Sequence, residues 1–204
     1  MPKKKSSSRA AIRPLRADGK RNRERILEVA KEVFARDGAA ASLDDIARRS
    51  GIGNATLYRH FPTRDALIES VYRNEVEKLV EAERHFASNL PPLEALRTWM
   101  LLFIDHVSAK RLIIPAMDTV AGGSTRLVEG ARSHIHEAFT ASVVRAISSG
   151  DLRVETEPSD FVRALIGVFH TTSIPGWEPS ARRLVDILIA GSRSAAGSTR
   201  ALRK

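Results

Sequence analysis

Asn54, Thr56, Tyr58, Arg59 and His60 crowd into the short run NATLYRH. Read as a helix at about 100° per residue, this run sorts by face. Leu57 and Phe61 lie four apart and point together into a core. Ala55 and Arg59 point away from it, Thr56 and Tyr58 flank that outer side, and Asn54 sits on the exposed first turn. The mix suits hydrogen bonding to base edges: Arg forks onto guanine, Asn onto adenine, and a small apolar group meets the thymine methyl. An ordinary solvated helix with a capped start could carry the same residues, so the elements around it must decide.

The flanking run SLDDIARRSGIGNATLYRHFPTRDAL, Ser42–Leu67, supplies them. Ser42 can cap a helix by accepting from an unpaired first-turn amide. Asp44 and Asp45 then fall where the positive end of the helix dipole favours carboxylates. Leu43, Ile46 and Ala47 recur at helical spacing. Gly51 stands where a tight interhelical turn needs positive φ. Gly53 or Asn54 can open a second helix that ends near His60 or Phe61, ahead of Pro62. Two short helices around a Gly-containing turn form a helix-turn-helix.

The stretch GIGNATLYRHFPTRDALI resembles the signature of the tetracycline-repressor (TetR) family of dimeric, ligand-controlled transcription factors. The Thr56-Leu57-Tyr58-x-His60-Phe61 core and the basic Arg64 after it are the specific part. The resemblance implies that Asn54, Ala55, Thr56, Tyr58 and Arg59 approach bases and that His60 and Arg64 hold phosphates. With Ser42 at the mouth of the motif, the candidate DNA-contacting set is Ser42, Asn54, Ala55, Thr56, Tyr58, Arg59, His60 and Arg64. One position departs. Some members read a guanine with a basic residue early in the first helix of the motif, and here that residue is Asp44. Base reading would then fall to the second helix alone. Further on, PLEALRTWM, a Pro-interrupted middle segment and PGWEPSARRLVDILI resemble, more weakly, the ligand-binding half of such regulators.

Charge agrees with a phosphate-binding head. Residues 1–64 hold 16 Lys and Arg against 7 Asp and Glu, whereas residues 65–204 hold 17 of each. The whole net charge of +9 therefore belongs to the segment with the motif, the electrostatic footprint of a backbone binder. The remaining composition, 43% hydrophobic and 28% charged, is that of a soluble globular chain of 204 residues. The longest apolar run, Trp99–Ile104, is far too short for a bilayer, and the N-terminal lysines precede no apolar signal core. No membrane partner is expected, and the expected location is cytoplasmic. Without cysteine there is no disulfide, thiolate metal site or Cys nucleophile.

The expected fold is all-α, with about nine helices. Residues 1–19 read as a basic arm without fixed structure, whose Lys3, Lys4, Lys5, Arg9, Arg13 and Arg16 could follow a DNA groove. Residues 20–66 form the DNA-binding domain, opened by a helix Lys20–Asp37 whose Lys20, Arg21 and Arg23 are placed to touch phosphate. Residues 67–191 form a helical ligand-binding and dimerisation domain, and residues 192–204 a disordered tail. A helix from Thr63 to about Ser88 crosses the boundary without a linker and would act as a lever. Pro92 to about Lys110 is a further helix, and Leu112–Val120 is a separate short segment broken by Pro115.

Candidate ligand-lining residues are Trp99, Met100, Phe103, Met117, Phe139, Phe169 and Trp177, with Asp105, His106 or Asp118 as polar anchors. They would suit a flat apolar molecule, or a cationic amphipathic one if a carboxylate faces the cavity. Helical periodicity alone makes most of them plain core. The last two helices are apolar on more than one side, and Phe161, Leu165, Phe169, Leu184, Ile187 and Leu188 are assigned to a subunit interface. His134 and His136 point about 200° apart on a helix and cannot share one metal ion unaided. No metal, cofactor or catalytic residue is assigned, since GxxxxGK[ST], GxGxxG and HExxH are all missing. The reading is a homodimeric regulator, a repressor of a near-palindromic operator on double-stranded DNA, released by a small effector. Its rivals are a non-sensing architectural DNA binder and a helical carrier or enzyme with a vestigial head.

Overall fold

Apolar residues spaced three and four apart recur along most of the chain, and each such run becomes a helix. The computed structural model describes residues 8–153, 155, 157–170 and 176–194, with only the backbone of 8–17, 166 and 168–170. Lys3, Lys4, Lys5, Pro175 and residues 195–204 lie outside the described residues, as do the side chains of Arg9, Arg13, Arg16 and Phe169. The elements are α1 Ser8–Asp37, α2 Leu43–Ser50, α3 Asn54–His60, α4 Arg64–Asn89, α5 Pro92–Met117, α6 Gly123–Ser148, α7 Pro158–His170 and α8 Trp177–Ser192. A 3-10 turn, Gly38–Ala40, joins α1 to the loop before α2. No strand occurs among the described residues, only an isolated bridge between Leu152 and Arg193. No helix among them is long and apolar enough to cross a membrane.

The chain divides into two compact units. The first holds residues 1–72 and 112–124, the second residues 73–111 and 125–204. In the first, α1 buries Ile26, Leu27, Ala30, Val33 and Phe34, and α2 buries Ile46 and Ala47. Leu57 and Phe61 join the same buried set, together with Leu67, Ile68 and Val71 from the start of α4. In the second, a core of Leu79, Leu96, Trp99, Phe139, Val143, Phe161, Val185 and Ile189 draws on α4 to α8. Glu83 of α4 is buried there and pairs with Arg145 of α6.

Two boundaries differ from expectation. Helix α1 begins at Ser8 and not at Lys20. Its exposed surface is stitched at helical spacing, by Asp18 with Arg21 and by Lys20 with Glu24 at 3.8 Å. Helix α5 runs through Pro115 to Met117, so the expected separate segment is its last turns, and among the described residues eight α-helices stand where about nine were expected. A proline inside a helix costs about 3 kcal/mol. Here burial of Ile113, Ala116, Met117 and, just beyond the helix, Val120 opposes that cost. The first unit also reaches past the expected boundary at residue 66, to Tyr72, and takes in 112–124.

Gly38 is constrained twice. Its φ is +55°, and a Cβ there would lie 3.1 Å from the Pro115 Cβ within the same unit. Gly130, exposed inside α6, has ordinary helical backbone and nothing within 4 Å of an added Cβ. Opposite signs follow for one chemical change. Gly38→Ala should lower unfolding free energy by about 1–2 kcal/mol or more, and Gly130→Ala should raise it by about 0.5–1 kcal/mol. Urea denaturation of both variants checks this, and shifts in the same direction would contradict it.

Candidate nucleic-acid interface

The helix-turn-helix is built from local signals that can be followed atom by atom. Ser42 is extended, and its Oγ accepts from the Asp45 amide at 3.4 Å, starting α2. Gly51 closes α2 at φ +64°, and its N–H turns back to the Ala47 and Arg48 carbonyls. The Ile52 amide donates to the Ala47 carbonyl at 3.0 Å, completing the left-handed helix stop. The Gly53 carbonyl then accepts from Thr56 at 2.9 Å and Leu57 at 3.0 Å, which opens α3. Pro62 prevents continuation past Phe61, and the Thr63 hydroxyl accepts from the Ala66 amide at 3.1 Å to cap α4.

Within α3, Leu57 and Phe61 are 1% and 2% exposed. Asn54, Ala55 and Arg59 are exposed, Tyr58 is 46% exposed, and Thr56 and His60 are half-buried. Of the residues named from the sequence, Asn54, Ala55, Tyr58 and Arg59 are thus open to solvent and Thr56 and His60 partly covered. Ser42 is exposed too, with its hydroxyl engaged as the α2 cap. Two contacts were not legible beforehand. The Asn54 amide nitrogen donates to Asp44 Oδ1 at 2.7 Å, so the acidic residue in the first helix is tied to the second. The Arg23 guanidinium of α1 stacks 5.3 Å over the Phe61 ring, a cation–π contact beside the end of α3.

Asp45 fastens α2 to α1. It pairs with Arg36 at 3.0 Å, Arg49 at 2.8 Å and also Arg48. The hydrogen bond from Arg36, then that from Arg48, hold its carboxyl below the ordinary range against partial burial. The Arg48 and Arg49 partners are visible at helical spacing; Arg36 is not.

Arg64 is engaged within the protein. The resemblance assigns it to a phosphate, but its guanidinium turns inward. Nη2 donates to the Ala39 carbonyl at 2.9 Å and the Gly38 carbonyl at 3.2 Å, and Nη1 donates to Thr119 Oγ1 at 2.7 Å. The same group lies 5.4 Å over the Phe34 ring. Bare carbonyls at the turn after α1 needed a cation there, and no local spacing announces that need.

In the second unit, Trp99, Met100, Phe103, Phe139 and Trp177 gather in one core cluster. Trp99 stacks on Phe103 at 5.4 Å and on Phe139 at 5.3 Å, and its indole N–H donates to the Leu79 carbonyl at 3.0 Å. His106 is half-buried against Phe103. Both candidate acidic anchors are exposed and engaged elsewhere. Asp105 pairs with Arg182, and Asp118 accepts from the Ser124 amide at 3.2 Å. Hydrogen bonds from Ser124 hold the Asp118 carboxyl below its usual value. The case for a cationic ligand, which needed a carboxylate facing a cavity, loses its basis. Met117 and Asp118 belong to the first unit and do not join the aromatic group. An open cleft of about 450 Å³ in the second unit is lined by Leu93, Glu94, Arg97, Asp186 and Arg193 among others, and by none of the expected ligand residues. His134 and His136 are both exposed.

The interface assignment divides as well. Phe161 and Leu165 are 1% and 3% exposed in the single chain, so they are core and offer a partner no surface. Leu184 and Ile187 stand 46% and 64% exposed on α8, with Leu188 half-buried.

Residues 26–71 match the family model described as bacterial regulatory proteins, tetR family, and residues 91–194 match the model described as transcriptional regulator SbtR-like, C-terminal domain. Among solved structures, a TetR transcriptional regulator from Streptomyces coelicolor is 40% identical, with 85% of this chain and 99% of that one covered and a TM-score of 0.73. A TetR transcription regulatory protein from Mycobacterium vanbaalenii is 30% identical over 89% of this chain and all of that one, also at 0.73. A curated HTH-type transcriptional regulator of Staphylococcus aureus strain MRSA252 is 33% identical over 98 residues, 45% of this chain and 53% of that protein. The chain spans about half the length of the curated relatives it matches.

The inward setting of Arg64 gives a test. Arg64→Ala should cost about 1.5–3 kcal/mol of stability, the value of charge-assisted hydrogen bonds. It should leave the salt slope of binding to a mixed-sequence duplex unchanged, where a lost phosphate contact would reduce it by about 0.9. Urea denaturation and a salt titration by fluorescence polarisation read the two effects. A shallower slope with unaltered stability would return Arg64 to the phosphates.

Proposed function

Because the chain belongs to the TetR family of transcriptional regulators and carries its DNA-binding helix-turn-helix, we propose that it acts as a homodimeric repressor of a near-palindromic operator, released by a small, largely apolar ligand. The observation that carries this is the outer face of α3. Ala55 and Arg59 are exposed opposite the buried Leu57 and Phe61, with Tyr58 exposed at the flank and Asn54 on the first turn, on the segment that holds all the excess positive charge. Each head would set α3 in a major groove, and Lys and Arg around it would supply affinity and its salt dependence.

Pairing of two chains is supported by Leu184 and Ile187, large apolar side chains left open three apart on α8. A two-fold dimer places its heads on half-sites about one helical turn, or a multiple, apart. Release by a ligand requires that the ligand favour one head spacing over another. The apolar character of the ligand follows from the aromatic interior of the second unit, where Asp105 and Asp118 take no part. A second reading, a DNA binder that senses no small molecule, is favoured by the close stacking of Trp99 with Phe103 and Phe139.

Two outcomes are expected. After selection of a bound site from random duplexes, Arg59→Ala should lose about 1–3 kcal/mol and relax preference at one base pair per half-site. Unchanged preference at every position would remove Arg59 from base reading. A compound that raises the melting temperature should weaken operator binding roughly 5–150-fold, a coupling of about 1–3 kcal/mol. Equal operator affinity with and without every stabilising compound would favour the non-sensing reading.

A further inference from the structure

Asp44 lies in the first turn of α2 and Asn54 begins α3, and both are exposed. Asn54 Nδ2 donates to Asp44 Oδ1 at 2.7 Å. An ionised carboxylate only accepts, so this contact settles which way the amide faces: nitrogen toward Asp44, oxygen away from it. Asp45, the neighbouring carboxylate, is taken up by Arg36, Arg48 and Arg49. Two adjacent acidic residues therefore have different tasks: one fastens helices, and the other holds a residue on the open side of the motif.

We infer that Asp44 and Asn54 form a single edge, rich in acceptors and with one amide N–H left over, that makes each head select, at one position of the half-site, a base bearing an exocyclic amino group. This deepens the proposed function and rests on α3 lying in a major groove. On the strand that faces the edge, adenine presents N6 and cytosine N4, both donors. Guanine presents O6 and N7 and thymine O4, which are acceptors only. Against those bases the Asp44 carboxylate and the Asn54 amide oxygen would meet acceptors, and the one N–H that Asn54 has left would be the edge's sole donor. Asp44 thus works through rejection of the wrong base, and discrimination is a difference of affinities. A negative charge held against phosphates also lowers general affinity, so Asp44 exchanges strength of binding for choice of sequence.

The test uses full-length wild type, Asp44→Asn and Asn54→Ala, each selected against a random duplex library and each titrated with a mixed-sequence duplex. Wild type should recover adenine or cytosine on one strand at one position per half-site. Both variants should lose that preference at the same position, by roughly 5–150-fold, with other positions retained. Asp44→Asn should also bind the mixed duplex more tightly than wild type. Retained preference in both variants, relaxation at different positions, or guanine or thymine at the relaxed position would overturn the inference and leave the DNA-binding reading standing. Uniform loss at all positions, or a collapsed circular dichroism signal in both variants, would assign the pair a structural role and overturn it equally. Wild type that selects no sequence would bring down the functional reading and this inference together.

Discussion

A helix as short as α3, Asn54–His60, does not persist by itself in water. Its existence depends on burying Leu57 and Phe61, one turn apart, in the core formed with α1 and α2. Each fully buried apolar side chain of that size contributes about 1.5–3 kcal/mol, enough together to offset the cost of nucleating so few hydrogen bonds. The same two side chains fix the helix rotation. Once they face inward, Ala55 and Arg59 must face outward, and Asn54 must sit at the leading end beside α2. Arg23, stacked on the Phe61 ring, ties the entry helix to this anchor.

Around the anchor, charged residues divide between holding the head together and presenting it. Arg36 and Arg64 are cross-links: the first joins α1 to Asp45 of α2, the second joins the Gly38–Ala39 turn to Thr119. Arg59 and the exposed face of α3 are left for the proposed contact with DNA. The excess of positive charge in the head is thus not a simple sum of phosphate contacts. Helices α4 and α5 each begin in one compact unit and end in the other. A ligand that shifts either helix in the second unit has a covalently continuous route to the segment carrying Pro115 and Thr119, which meets Gly38 and Arg64. That continuity makes the proposed control of DNA binding physically direct.

Much of the fold was legible because local physics wrote it into short windows. The Ser42 cap, the Gly51 stop, the Leu57 and Phe61 spacing and the Pro62 boundary are each decided within four or five residues. Where the reading missed, distant partners had outweighed local preference. Pro115 read as a break, but burial of Ile113, Ala116 and Met117 holds the helix through it. Arg64 read as a surface cation because its acceptors lie far off in sequence. Phe161 and Leu165 read as open to a partner because periodicity counts apolar faces without saying which are already covered. Asp44 read as a lost base contact, and only the folded chain brings it within 2.7 Å of Asn54.

The central claim is that the side of α3 opposite Leu57 and Phe61 enters the major groove of DNA, twice, in a symmetric pair. Methylation protection of a selected duplex by the full-length protein tests it most directly, since guanine N7 lies in the major groove and adenine N3 in the minor groove. The account predicts two symmetric patches of N7 protection centred about 10 base pairs or a multiple apart, with N3 reactivity between and within them unchanged. Protection confined to N3, or a single asymmetric patch, would contradict it.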